Sequence, residues 1–263
     1  MRTTAIMNMK GGTAKTVTTI NLAAILAHDY ALRVLLVDAD SQANLTEFVM
    51  EDPAAEYVPG GFSDLLYGEK AKVLPTKIQN VSIIAGDLLL MDLDVSSAHH
   101  GISHPMALRE FLKEVSNQFD WCIIDCPPAF SAAAMAALIA ADEVVIPMKV
   151  DAFGIQGMGR LMGQIQNMRR INPDLEVAGV LPTMTERNPA LVEQEDALRG
   201  RLAGYQIRMF NNIRRSKLVN ESTFSQEPLI TSSPKSKTLR DYRIFAKRLI
   251  GDYLDGKAEG GEI

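Results

Sequence analysis

Glycine, lysine and threonine stand together near the amino terminus at a spacing that could bind phosphate. Gly11 and Gly12 permit a tight turn, and Lys15-Thr16 follows shortly after them. Backbone N–H groups in such a turn, and at the start of a helix, attract anions. A lysine in this position reaches the β- and γ-phosphates of a nucleotide, and the threonine hydroxyl ligates Mg²⁺. The segment therefore predicts nucleotide chemistry.

The elements around this segment agree with a phosphate-binding loop. A short apolar run, Thr3 to Met7, comes before it, and a helical pattern, Val17 to Ala27, follows it. Strand, glycine-rich turn and helix are the context that such a loop requires. Two features are unusual, because Met9 stands where the general motif has glycine and Lys10 adds a second lysine. The predicted nucleotide-binding residues here are Gly11, Gly12, Thr13, Ala14, Lys15, Thr16 and Val17.

Carboxylates follow two other apolar runs. Arg33 to Asp38 reads RVLLVD and leads to Asp40, whereas Trp121 to Asp125 reads WCIID. Runs without polar alternation fit parallel strands covered on both faces. Ligands of such sheets bind beyond the carboxyl ends of the strands, so we expect these carboxylates beside the phosphate loop. For Asp38 to Asn44 alone, simple capping of the next helix is the alternative interpretation.

Strand and helix patterns alternate along the rest of the chain. This alternation predicts an α/β fold, a doubly wound, mostly parallel sheet with helices on both faces. Residues 1–255 are expected to form one domain, and 256–263 a flexible acidic, glycine-rich tail. Further predicted strands are Val81–Ala85, Glu143–Pro147 and Val177–Pro182; further predicted helices are Met106–Val115, Ala132–Ala140, Ile155–Met168, Leu191–Leu202 and Ser236–Leu254.

Three motifs in this order resemble those of the ParA/MinD family of ATPases with a deviant Walker A loop. KGGTAKT is similar to the family's phosphate loop, in which the extra lysine, Lys10 here, crosses a dimer interface to the partner's nucleotide. DADSQAN resembles the family's D-x-D-P-Q-x-N segment, with Ser41 replacing proline. IIDCPP resembles the family's Walker B strand. The resemblance covers nearly the whole chain, from Thr3 to about Leu254.

The resemblance implies a role for each motif. Catalysis would involve Lys10, Lys15 and Asp40, with Asp40 orienting the attacking water. Magnesium would be held by Thr16, Asp38 and Asp125, with Asp38 also supporting Lys15 and Asp125 acting through a water. Asn211 to Arg214 resembles the family's R-N-x-R stretch over the adenine ring, with Asn211 replacing the arginine. Adenine contacts are accordingly expected at Phe210, Asn211 and Asn212.

The same resemblance implies a ParA/Soj-type partition ATPase with ATP and Mg²⁺ as cofactors. Its expected partners are a second copy of the chain in an ATP-dependent homodimer, non-specific DNA and a ParB-like centromere-binding protein. A cytoplasmic, nucleoid-associated location and no membrane partner follow from this assignment. Ala14 is a departure, since glycine usually precedes the loop lysine. If position 14 needs a positive φ, alanine there costs about 1 kcal/mol or more.

Charge is unevenly distributed. The net charge is −5, yet residues 201 to 248 contain eleven Lys/Arg and three Asp/Glu, a local balance of +8. A basic block on an acidic chain suggests contact with a polyanion, and a solvated helix face is the alternative. The candidate DNA-binding residues are Arg208, Arg214, Arg215, Lys235, Lys237, Arg240 and Arg243.

Other functions remain as alternatives. A MinD-like ATPase that cycles on a membrane or positions other cargo would share the nucleotide motifs, but would want a basic, apolar carboxyl-terminal anchor. An iron–sulfur reductase or carrier of the same superfamily would need thiolates at a dimer axis, whereas Cys122 and Cys126 lie on or beside a predicted buried strand. His99, His100 and His104 are interpreted as a surface loop rather than a metal site. An ATP-dependent DNA-binding adaptor with negligible hydrolysis also stays open.

Overall fold

Six apolar runs that the sequence predicts as strands lie parallel in one sheet of the computed structural model. The structure describes residues 1–51, 57–93, 104–186 and 188–259. A short seventh strand, β3, pairs antiparallel at the edge, and the spatial order is β3-β4-β2-β5-β1-β6-β7. The strands are β1 Arg2–Ile6, β2 Val34–Asp38, β3 Leu74–Pro75, β4 Val81–Ile84, β5 Trp121–Asp125, β6 Glu143–Lys149 and β7 Glu176–Thr183. The predicted fold class is confirmed.

Helices lie between successive strands and in the chain that follows β7. They are α1 Lys15–Asp29, α2 Asn44–Val49, α3 Phe62–Leu66, α4 Ala107–Glu114, α5 Ala132–Ala140, α6 Ala152–Met168, α7 Pro189–Gly204, α8 Lys217–Ser225, α9 Leu229–Ser232 and α10 Lys237–Glu259. Helix α6 begins three residues before the predicted Ile155, because the Asp151 side chain caps its first turn. Helix α10 continues to Glu259, so residues 256–259, predicted as part of a flexible tail, are helical.

Two hydrophobic cores lie on the two faces of the sheet. Successive residues of a strand point to opposite faces, and β2 shows the consequence. Leu35 and Val37 join the core that packs against α4, α5 and α6, whereas Val34 and Leu36 join the core under α1 and α10. Burial on both faces explains why the strands are continuously apolar rather than alternating.

The carboxyl ends of the three central strands meet at one edge of the sheet. Asp125 at the end of β5 is paired in register with Ile6 of β1 on one side and with Asp38 of β2 on the other. The glycine-rich loop leaves β1 immediately after this row. The sheet therefore brings the loop and both carboxylates together, as the placement of ligands in such folds predicts.

Several predictions about other side chains can be compared with the structure. Cys122 and Cys126 are unpaired and fully buried, and burial raises the pKa of both thiols, which fits core packing. His104 is exposed and its ring lies over Gly68, while His99 and His100 fall outside the described residues. Among the residues described, no cluster of His, Cys, Asp or Glu could hold a metal ion, and no helix is both long and apolar enough to cross a bilayer.

Candidate active site

The loop between β1 and α1 has the shape of a phosphate cradle. Gly12 has φ 67° and Ala14 has φ 64°, so the backbone turns through the left-handed region twice before the helix begins. The Thr13 carbonyl accepts a hydrogen bond from the Thr183 hydroxyl at 3.0 Å, which ties the loop to the end of β7. Gly11 and Gly12 are exposed at the surface of the loop. Sequence reasoning placed the special backbone position at Ala14 correctly.

Both lysines of the loop are held by groups within the chain. Lys15 is 8% exposed, and its Nζ donates to the carbonyl of Lys10 at 3.4 Å. Burial lowers the pKa of Lys15, although Asp125 nearby acts in the opposite direction. The Nζ of Lys10 lies 3.0 Å and 2.9 Å from the two carboxylate oxygens of Asp151. The sequence analysis did not single out Asp151, although its place just after β6 at the same edge of the sheet could have done so.

Thr16 and Asp125 form the most direct contact in the site. The Thr16 hydroxyl donates to Oδ2 of Asp125 at 2.6 Å, and the Thr19 hydroxyl donates to Oδ1 at 3.3 Å. Asp125 is 1% exposed, and burial together with nearby Asp38 raises its pKa. A buried carboxylate beside a hydroxyl is a set of hard oxygen donors suited to Mg²⁺. Thr16 and Asp125, two of the three residues predicted to hold magnesium, are therefore in contact.

Asp38 is engaged with the segment that follows it. Its Oδ2 accepts hydrogen bonds from the backbone N–H and the hydroxyl of Thr46, both at 2.8 Å, and its Oδ1 accepts from the backbone N–H of Asp40 at 3.2 Å. Burial raises the pKa of Asp38 to about 6. A Cβ at Gly86 would lie 2.7 Å from the Asp38 carbonyl oxygen, so only glycine fits there without movement. Asp38 thus holds α2 and the loop before it, and its role near magnesium stays a prediction.

Asp40 lies in the loop that follows β2. Its Oδ1 accepts a hydrogen bond from the backbone N–H of Gln42 at 3.1 Å, and the residue is partly exposed. Ala43, with φ 50°, then starts α2. Capping was the alternative interpretation of this segment, and the contacts of Asp38 and Asp40 show that local turn and capping interactions are present. Asp40 remains on the same edge of the sheet as Lys15, and its charge partly opposes the lowering of the Lys15 pKa by burial.

A cleft of about 1110 Å³ opens beside the phosphate loop. It is lined by Gly12, Ala14 and Val17, by the loops after β6 and β7, by the segment before α8 and by residues of α7, α8 and α10. This volume is slightly above the usual range of small-molecule sites, about 300–1,000 Å³. The other residues that line the cleft include Asp151, Thr183, Met184, Glu186, Glu195, Ile213, Arg214, Arg215 and Asn220.

The predicted adenine contact at Phe210 is wrong. Phe210 is 1% exposed and packs edge-on against Phe245, with ring centroids 4.9 Å apart, because its place beside β7 directs it into the core. Asn211 donates to the Asp241 carbonyl at 2.9 Å and Asn212 donates to Glu195 at 2.8 Å. Neither asparagine lines the cleft, whereas the following residues Ile213 to Arg215 do. Adenine contacts by this segment stay a prediction, and the residues of it that line the cleft are Ile213 to Arg215.

Four of the seven candidate DNA-binding residues are occupied by contacts within the chain. Arg214 pairs with Asp241 at 2.6 Å, Arg215 with Glu186 at 2.8 Å and Arg243 with Asp29 at 2.7 Å. The Nε of Arg208 donates to the Ala178 carbonyl at 2.7 Å, and its guanidinium lies over the ring of Phe210. The other three candidates, Lys235, Lys237 and Arg240, are exposed.

Comparison with known proteins agrees with this site. Residues 1–177 match a family model described as an AAA domain. The chain is 33% identical over 260 residues to a ParA family protein of Chlamydia pneumoniae, covering 95% of this chain and 98% of that protein. The chain belongs to the ParA family. Within this ParA family, it is 32% identical over 253 residues to the sporulation initiation inhibitor protein Soj of Bacillus subtilis, covering 93% of this chain and 96% of Soj.

A solved structure supports the same family assignment. A variant of McdA from Cyanothece, determined as a complex with ATP, has a TM-score of 0.82 to this chain at 25% sequence identity. The match covers 95% of this chain and 96% of McdA. The ParA-type family predicted from KGGTAKT, DADSQAN and IIDCPP is thus confirmed, and with it membership in a family of ATPases.

Proposed function

We propose that this ParA family member is a partition ATPase whose ATP-bound form is a homodimer that binds DNA without sequence preference. A ParB-like partner stimulates hydrolysis, so that the chain segregates or positions DNA while associated with the nucleoid in the cytoplasm. The observation that carries the proposal is the phosphate loop with two lysines, placed at the mouth of a nucleotide-sized cleft and backed by the contact between Thr16 and Asp125.

The side chains fit ATP with magnesium. The loop from Gly11 to Thr16 presents backbone N–H groups to the phosphates, and Lys15 supplies positive charge once it leaves the Lys10 carbonyl. Mg²⁺ would be held by the Thr16 hydroxyl and by Asp125, with Asp38 behind them. The ion would neutralise charge on the β- and γ-phosphate oxygens. Asp125 is buried beside a second carboxylate, which is an arrangement that a cation would stabilise.

Hydrolysis needs a water positioned in line with the γ-phosphate. Asp40 is the acceptor that would hold it, because it lies on the loop after β2 at the same edge as Lys15. The water oxygen bonds to the γ-phosphorus as the bond to the β–γ bridging oxygen breaks, and ADP leaves with that oxygen. The water's proton passes to solvent or to the phosphate released. Lys15, and Lys10 from a second copy, would stabilise the charge that develops.

Binding of ATP is tested by isothermal titration calorimetry with Mg²⁺. We expect micromolar binding by the unmodified chain and loss of binding in Lys15→Ala, because that change removes the buried positive charge of the loop. Lys113→Ala is a matched control, since Lys113 is an exposed lysine on α4, on the other face of the sheet. Absence of ATP binding by the unmodified chain would contradict the proposal.

The exposed basic side chains of α10 define the DNA surface that we propose. Lys237, Arg240, Lys247 and Arg248 recur at intervals of three, seven and one along the helix, so they share one side of it, and all are exposed. Lys235 stands just before the helix. The arginines that are paired with Asp241, Glu186 and Asp29 would have to exchange those partners for phosphate, which makes them weaker candidates.

DNA binding is tested by filter binding to unrelated duplexes at several salt concentrations with ATP. We expect binding that does not depend on the DNA sequence. The slope of the logarithm of the binding constant against the logarithm of the salt concentration should become less steep by about 1 for each phosphate contact removed, as in Lys237→Ala and Arg240→Ala. Lys113→Ala should leave the slope unchanged. No binding at low salt in the ATP state would refute the DNA-binding part of the proposal while leaving the ATPase part standing.

A further inference from the structure

The contact between Lys10 and Asp151 joins the phosphate loop to the start of α6. Both carboxylate oxygens of Asp151 lie within 3.0 Å of the Lys10 Nζ, and the two residues are 141 positions apart in sequence. The side chains are 38% and 29% exposed, so the pair lies at the rim of the cleft rather than in the core. Hydrogen bonds from Lys10 and from the backbone N–H of Gly154 hold the pKa of Asp151 below its usual value, although partial burial opposes them.

Both ends of this pair are fixed by the surrounding structure. The backbone N–H of Lys10 donates to the Asn8 side chain at 3.0 Å, and Asn8 in turn donates to the Pro147 carbonyl on β6 at 2.7 Å. Oδ1 of Asp151 also accepts the backbone N–H of Gly154 at 2.7 Å, which caps α6. The pair is therefore a built contact between two anchored elements, not a chance meeting of long side chains.

Lys10 also takes part in holding the second lysine of the loop. Its carbonyl accepts Nζ of Lys15, so both ammonium groups of the loop are satisfied within one chain. An arriving phosphate would attract Lys15 away from that carbonyl. A second anion, on the nucleotide of another copy, could attract Lys10 only by competing with Asp151, because one ammonium group cannot fully serve two separate anions.

We propose that Asp151 is a positioning residue that holds Lys10 within its own chain and so opposes ATP-dependent dimerisation until Lys10 transfers to the partner's nucleotide. The inference rests on the proposed function, since it takes from it that Lys10 reaches across a dimer. It adds a residue that controls when that happens. A partly exposed ion pair changes an equilibrium by about two- to fivefold. Each dimer breaks two such pairs, so the effects multiply to about 4- to 25-fold.

The test variant is Asp151→Asn, which removes the charge and keeps an oxygen that can accept from Gly154, so α6 retains its cap. Dimer dissociation constants are measured by analytical ultracentrifugation with a slowly hydrolysed ATP analogue and Mg²⁺. We expect the dimer dissociation constant of Asp151→Asn to be about 4- to 25-fold lower than that of the unmodified chain. Asp174→Asn, at an exposed aspartate after α6, is the matched control for a change of net charge and should behave as the unmodified chain.

A double-mutant cycle shows whether the effect acts through Lys10. In a Lys10→Ala background Asp151→Asn should no longer tighten dimerisation, whereas a merely structural role for Asp151 would give the same change in both backgrounds. Equal or weaker dimerisation of Asp151→Asn with Lys10 present would overturn the inference. No dimer of the unmodified chain with the analogue would instead refute the dimerisation in the proposed function.

A measurement without nucleotide distinguishes failure of the inference about Asp151 from failure of the proposed dimerisation. Labelling with an amine-reactive reagent, followed by mass spectrometry, reports how available the Lys10 amine is in the single chain. We expect Lys10 to be labelled faster in Asp151→Asn than in the unmodified chain or in Asp174→Asn, because its amine loses the carboxylate that holds it at 2.9–3.0 Å. An unchanged labelling rate would show that Asp151 does not hold Lys10.

Discussion

Ala14 stands in a backbone conformation that favours glycine. Its φ of 64° and ψ of 34° are left-handed, and it occupies the N-cap of α1 without a side-chain hydrogen bond to the helix. Its carbonyl nevertheless accepts the backbone N–H of Thr18 at 2.9 Å, so the position is fixed by the helix it starts. We predict that Ala14→Gly stabilises the nucleotide-free chain, because glycine adopts this conformation without a clash of Cβ.

Two opposing effects determine how much Ala14→Gly changes the free energy of unfolding. Releasing a non-glycine residue from the left-handed region yields about 1–2 kcal/mol. Glycine gives the unfolded chain more freedom, which costs about 0.4–1 kcal/mol. The net gain expected in the free energy of unfolding is about 0.5–1 kcal/mol, which for a chain of this size raises the Tm by about 1–4 °C.

The assay is urea denaturation and thermal unfolding of the nucleotide-free chain, with two matched controls. Ala31→Gly should give a similar gain, since Ala31 also has a positive φ, 53°, and lies in the exposed turn between α1 and β2. Ala197→Gly, at an exposed position inside α7, should lose about 1 kcal/mol because glycine is a poor helix former. These controls separate backbone strain from a general effect of glycine.

Destabilisation by Ala14→Gly would refute the reasoning, as would a gain in stability at Ala31 with none at Ala14.

The effect of Ala14→Gly on the affinity for ATP follows from the same backbone geometry. If Ala14 keeps its left-handed conformation when nucleotide binds, the strain is common to the free and bound states, and the affinity for ATP should change by less than about threefold. A much larger change, measured by calorimetry, would show that the loop reshapes on binding.

Two other substitutions test the packing behind the site. Gly86→Ala should destabilise the chain by about 1–3 kcal/mol, because the new Cβ would lie 2.7 Å from the Asp38 carbonyl oxygen; Gly159→Ala, where a Cβ meets nothing within 4 Å, should not destabilise it in the same thermal-unfolding assay. Phe210→Ala should lower the free energy of unfolding by about 3–5 kcal/mol, measured in urea, since it leaves a cavity against Phe245. A loss of ATP affinity by the folded Phe210→Ala chain, with little loss of stability, would restore the adenine contact.

The sequence predicted the strands well because their pattern depends on burial alone. Runs such as Arg33 to Asp38 are apolar throughout, and in the structure alternate residues of β2 enter the two cores on opposite faces. Helices whose ends are set by contacts were predicted less precisely. The start of α6 depends on the cap at Asp151, and the short helices α8 and α9 carry no pattern strong enough to be recognised.

Contacts between distant residues were outside the reach of the sequence. The resemblance of Asn211 to Arg214 to the family's R-N-x-R stretch predicted adenine contacts from Phe210 onward. The register of Phe210 beside β7 decides that the aromatic ring enters the core and that Ile213 to Arg215 line the cleft. In the same way, the +8 balance of residues 201–248 identified a basic block, and ion pairs with Asp29, Glu186 and Asp241 decide which of its members are occupied.

The sequence on its own determined the order of the strands and helices along the chain and the phosphate loop. The loop is readable because its glycines, lysines and threonine act through local backbone shape and chemistry. The tertiary structure alone decided what each charged group faces. It places Asp125 against Thr16, turns Asp38 toward Thr46 and sets Lys10 on Asp151, 141 residues away. Such pairings depend on how strands and helices pack side by side, and no local pattern in the sequence records that packing.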